Sequence, residues 1–132
     1  MEELTYEAKI AVIKILTEIM HADNVVHDCE VKYLESVVQS FSLSDDYKKD
    51  ADGLMTLQAL STIRGLTAEQ KGEIAKMMGT MIVIDNDINY NEVRLYNAFC
   101  KSCDIDRDFN TEDYPECSLS GPFVNPEDLM NN

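Results

Sequence analysis

Two stretches of this chain match each other without a gap at a fixed offset. Asp23-Asn-Val-Val-His-Asp-Cys-Glu30-Val31-Lys32 aligns with Asp85-Asn-Asp-Ile-Asn-Tyr-Asn-Glu92-Val93-Arg94, each residue of the second lying 62 positions after its counterpart in the first. The same offset pairs Lys14 with Lys76 and Leu16 with Met78. Each stretch sits between a long apolar segment and a second amphipathic one. A repeated supersecondary unit limits the fold to arrangements in which two like units bury their apolar faces together. The expectation is two helical hairpins packed about a pseudo-two-fold axis.

The periodicity supports helices throughout. Ile10, Ile13, Leu16 and Met20 fall at three- and four-residue spacing, and Val12, Ile15 and Ile19 form a second stripe. This first helix, over about 5–22, should therefore be buried on more than one side. A second is expected over about 28–41 (Val31, Leu34, Val37, Val38, Phe41). A short polar one follows from Ser44 to near Gly53, and a fourth carries Leu54, Leu57 and Leu60 and stops at Gly65. Both glycines suit a left-handed helix end. Thr67-Ala-Glu-Gln70 reads as a capping box opening a helix over about 68–84, with Ile74, Met77, Met78, Met81 and Ile82 on one face. The last runs over about 90–103. No segment alternates like a strand. The predicted fold is an all-α, single-domain bundle of about six to seven helices, spanning 1–103, with repeats at about 5–41 and 67–103. Residues 104–132 read as an acidic tail, loose or wrapping the body through Tyr114, Phe123 and Leu129.

Charge excludes some partners. The chain of 132 residues has a net charge of −14, and residues 104–132 set eight acids against Arg107 alone. Such a chain repels phosphates, so nucleic acid is not an expected partner; cations and basic proteins are. The longest apolar stretch, Ile10–Met20, is interrupted by Lys14, Thr17 and Glu18 and falls short of the roughly 20 residues that span a bilayer. The acidic start, Met1-Glu2-Glu3, lacks the basic region of a signal peptide. A cytoplasmic protein without direct membrane insertion is expected, with its four cysteines reduced.

The repeated motif admits two readings. Helix-turn chemistry accounts for much of it: Asn24 and Asn86 tolerate a left-handed turn, Asn89 is a strong cap, and Glu92 three residues later completes a capping box. Histidine at 27 is a poorer cap. The aspartates are less well explained, because Asp23 and Asp85 follow helix C-termini, where carboxylates are mildly unfavourable. A bound cation would offset that cost. Asp85-x-Asp87-x-Asn89 copies the first three positions of a calcium loop, but Tyr90 and Tyr96 stand where glycine and glutamate are required, which excludes an EF-hand. A different oxygen-ligand site for calcium or magnesium, with zinc ranked behind them, could use Asp23, Glu30, Asp85, Asp87 and Glu92.

A long apolar helix followed by Ala22-Asp23-x-x-Val26-x-x-x-Glu30, repeated about 60 residues on, resembles the TerB-like family of tellurite-resistance proteins, whose domain also occurs in some membrane-anchored DnaJ-type co-chaperones. The resemblance covers about residues 5–103. Asn24 and Asn86 replace its turn glycine, and Ile84 replaces its alanine before the second aspartate. It implies an all-helical fold with related halves and acidic residues that chelate a metal, a role that would pass to Asp23, Glu30, Asp85 and Glu92. It also implies a stress-associated interaction module whose partners are other proteins, including stress- or membrane-associated complexes and a second copy of the chain.

Other constellations carry less. Cys100-Lys-Ser-Cys103 ends a helix, where the dipole raises a thiol pKa, and both cysteines share the core face; buried structural thiols are expected rather than zinc or redox chemistry. His21, Asp23, His27 and Asp28 form a zinc-type set. Met20, Met55, Met77, Met78 and Met81 read as adaptable core. No spacing supports a catalytic triad, a phosphate loop or a paired acid and base, so an enzyme is not expected.

Overall fold

A computed structural model describes residues 3–85 and 88–114. Among them are six α-helices and no strand: α1 (Tyr6–Met20), α2 (Asp28–Ser40), α3 (Tyr47–Gly53), α4 (Thr56–Arg64), α5 (Ala68–Val83) and α6 (Tyr90–Ser102), then a 3-10 turn at Thr111–Asp113. No helix among these residues is long and apolar enough to cross a membrane.

α1 is the central helix and touches the other five. Ile10, Val12, Ile13, Ile15, Leu16 and Ile19 are all buried on it, so both apolar stripes face protein. Truncating Ile13 or Leu16 to alanine would leave a cavity, a loss of about 2–5 kcal/mol. α5 contributes Ile74, Ala75, Met78, Met81 and Ile82 to the same core. It opens with the expected capping box: Thr67 Oγ1 accepts from Gln70 N–H at 3.1 Å, and Gln70 Oε1 accepts from Thr67 N–H at 3.0 Å.

Local contacts recur at the 62-residue spacing. Thr5 caps α1 as Thr67 caps α5. Lys9 Nζ donates to Phe41 O at 3.2 Å, and Lys71 Nζ donates to Cys103 O at 3.2 Å, each holding the C-terminus of the next long helix, where a cation meets the dipole. Beyond those ends the chain turns through left-handed residues, Ser42 (φ 56°) and Asp104 (φ 60°). Leu43 N–H then returns to Val38 O, and Ile105 N–H to Cys100 O, as in a Schellman ending.

Several expectations are corrected. Gly53 and Gly65 are not left-handed; no described glycine has positive φ, and the left-handed residues are Asn24, Ser42 and Asp104. Leu57 (76% exposed) and Met55 (64%) point outward rather than into the core, because the buried stripe of α4 is Ala59, Leu60 and Ile63. Met20, Met78 and Met81 are buried. After Cys103 the chain stays on the body as far as Tyr114, which is buried. Phe109 packs edge-on to Tyr96 and stacks on Tyr114. Tyr114 lies over Gly79 so closely that a Cβ there would overlap its ring. Phe123 and Leu129 lie outside the described residues.

Candidate functional site

The α1–α2 and α5–α6 loops meet at one end of the bundle. In the first, Asn24 takes the left-handed conformation (φ 63°), and Asp23 Oδ1 accepts from Val25 N–H at 3.0 Å. That bond gives Asp23 a local role in the turn. In the second, Asp85 follows Ile84, the C-cap of α5. His27 Nε2 lies 3.4 Å from Asp85 Oδ2, so a side chain of the first hairpin reaches the loop of the second.

Behind this contact lie two glutamates, each the third residue of its helix. Glu30 (0% exposed) and Glu92 (2% exposed) are buried polar side chains, with Gln70 and Thr80 the others among the described residues. Glu30 Oε1 accepts from His27 N–H at 3.1 Å, the reciprocal half of a cap. Glu92 makes no such bond, which corrects the expected Asn89–Glu92 capping box: Asn89 Oδ1 caps α6 through Asn91 N–H at 2.8 Å, and Glu92 turns inward to Glu30. Glu30 Oε2 and Glu92 Oε2 are buried with no hydrogen-bond donor. Burying an ionised carboxylate without a partner is expensive.

The electrostatics follow. Burial pushes the Glu30 carboxyl upward, and the charge of Asp85 adds to it. Glu92 is pushed from 4.5 to about 10, first by burial, then by its hydrogen bond with Glu30 and the charges of Glu30, Asp23 and Asp85. Two carboxyl groups that can hydrogen-bond to each other must share a proton, because two carboxylates offer no donor. The pair is therefore held either by a proton or by a cation. Perturbed carboxyl groups of this kind concentrate at functional sites.

His27, Glu30 and Asp85 each offer one ligand atom, and the three atoms lie within 4.8 Å of one another. Among the sequence-selected residues, Glu30 and Asp85 come together in this cluster; Glu92 and Asp23 lie outside it, Glu92 interacting with Glu30 and feeling the charges of Asp23 and Asp85. Asp87 lies outside the described residues. The zinc-type quartet does not assemble: His27 joins the cluster, while His21 and Asp28 are exposed and outside it. The grouping of His27 with Glu30 and Asp85 was not read from the sequence. Its signal was a histidine where the second hairpin has a strong cap.

Elsewhere, burial raises both Cys100 and Cys103 to about 11. Cys103 Sγ donates to Leu60 O at 3.6 Å. These are core thiols, and Cys117 lies outside the described residues.

No family model matches the chain, and no curated protein matches it. Among solved structures it is similar to the crystal structure of PG1108, a protein of unknown function from Porphyromonas gingivalis W83. The TM-score is 0.68 at 20% identity, over 100% of this chain and 97% of that one. At that identity the likeness speaks for the fold alone: the chain shares an all-helical architecture with that protein along nearly its whole length.

Proposed function

We propose that this protein binds a divalent cation between its two helical hairpins and acts by binding rather than by catalysis. One observation carries the reading: two buried glutamates from different hairpins interact with each other, each with an oxygen that lacks a donor. A cation would satisfy both oxygens and neutralise Asp23 and Asp85, whose charges act on the same pair. Carboxylates suit hard divalent ions. The recurrence of caps, lysine contacts and helix endings 62 residues apart supports a duplicated hairpin, with the cation at the junction of its copies. The TerB-like resemblance is consistent with this site.

The test is thermal unfolding in EDTA and then with calcium, magnesium, manganese or zinc. An ion that binds only the folded state stabilises it by about 2.7 kcal/mol at 100 times its dissociation constant. The reading expects a rise in Tm with at least one ion, lost in Glu30→Gln/Glu92→Gln. No rise with any ion counts against it.

A second reading, a TerB-like stress-associated interaction module, is favoured by the exposed apolar side chains beside these loops. Val25 is 53% exposed, Val26 40% and Tyr90 73%. Large apolar groups flanking an acidic cluster suit a basic, amphipathic protein partner. The two readings are compatible: a cation that ties the loops together would also fix the surface they present.

A further inference from the structure

The sequence pattern names only oxygen ligands, but the folded cluster contains a nitrogen. We infer that the cation held between the hairpins is a nitrogen-accepting transition ion of the nickel, cobalt or zinc type, selected over calcium and magnesium by His27. This deepens the cation-binding reading and rests on it.

Three observations support it. First, His27 Nε2 sits 3.4 Å from Asp85 Oδ2, and the two share a cluster with a Glu30 oxygen in which all ligand atoms lie within 4.8 Å. Ligand atoms around an ion with bonds of about 2.0–2.2 Å are themselves separated by roughly 3–4.5 Å. The side chains therefore need little movement to converge on one small ion. Second, the hairpins differ here. Asn89, at the position equivalent to His27, spends its side-chain oxygen capping α6; the Nε2 of His27 is directed across to Asp85 of the other loop. Third, Glu30 brings to the cluster a side chain that is 0% exposed and whose Oε2 accepts no hydrogen bond, so the imidazole completes a mixed nitrogen–oxygen set with the Glu30 and Asp85 carboxylates. Magnesium, calcium and manganese suit oxygen ligands, whereas imidazole suits iron, nickel, copper and zinc, with cobalt between iron and nickel in the order of affinity. The His27 side chain is 37% exposed and that of Asp85 7%, which leaves an entry path on the histidine side.

The experiment is isothermal titration of the full chain with nickel, cobalt, zinc, magnesium and calcium chlorides separately, for wild type and His27→Asn. Asparagine is the cap used at the equivalent position of the second hairpin, so this variant keeps α2 folded, as its melting in EDTA will verify. The expected result is that the three transition ions bind at least about tenfold more tightly than magnesium or calcium. His27→Asn should weaken those three by roughly ten- to a hundredfold and leave magnesium and calcium within about twofold. The visible absorption of the cobalt-loaded protein should change with the substitution. Wild type preferring calcium or magnesium, or His27→Asn altering all ions equally or none, overturns the inference while leaving the cation site standing. Wild type that binds no ion defeats the underlying reading as well.

Discussion

Replacing Glu92 by glutamine tests the electrostatics of the buried pair in the metal-free protein. Glutamine keeps the shape of a protonated glutamate and supplies a donor for Glu30 at every pH. In wild type the folded-state value of Glu92 is raised from 4.5 to about 10. A raised carboxyl binds its proton more tightly folded than unfolded, so its stabilising contribution is complete below about pH 4.5. It is lost progressively as pH climbs toward about 10. Within that window the folded state holds one extra proton, which makes the slope about 1.4 kcal/mol per pH unit. Between pH 6 and 8 wild type should lose about 3 kcal/mol relative to Glu92→Gln. The assay is urea unfolding of both proteins in EDTA at several pH values; taking the difference cancels the titrating groups outside the Glu30–Glu92 pair. The variant should be the more stable protein at pH 8, with the gap shrinking toward pH 5. With a saturating cation the order should reverse, because the ion takes the place of the shared proton only in wild type. A difference that is flat with pH would refute the claim that Glu92 keeps a proton in the folded state.

Other consequences concern the scaffold. Ser42→Gly and Asp104→Gly each relieve a left-handed backbone (φ 56° and 60°) and should each stabilise by about 0.5–1 kcal/mol in chemical denaturation. Gly79→Ala places a methyl group against the Tyr114 ring and should destabilise by about 1–3 kcal/mol; combining it with Tyr114→Ala should cost less than the sum of the two single changes. Cys100 and Cys103 are buried, with thiols raised to about 11, so peptide mapping after alkylation at pH 8 should find them labelled at the rate of unfolding and well after the half-buried Cys29.

Much of the fold was legible because local and tertiary signals agreed. The double stripe of α1 marked a central helix, and Thr67 with Gln70 marked the start of α5. The glycines misled because the backbone places left-handed turns at Ser42 and Asp104, polar residues whose identity does not announce positive φ. Leu57 misled because residues three apart drift by about 60° around a helix; in a nine-residue helix that carries Leu57 off the stripe set by Leu60 and Ile63. At the site, Glu30 and Glu92 stood out as repeated motif residues, but capping explained them from sequence alone. Their burial against each other depends on how two hairpins 62 residues apart pack, as does the reach of His27 to Asp85. Sequence spacing carries no such information.

The central claim is that one cation lies at the junction of the hairpins. Equilibrium dialysis of the full chain against a single ion, with metal content measured by mass spectrometry, tests it most directly. The account predicts one ion per chain, and none near stoichiometry in Glu30→Gln/Glu92→Gln. Two ions per chain, each surviving loss of the other hairpin's glutamate, would show separate sites. No bound ion would leave the buried carboxyl pair as a proton-sharing element of the fold.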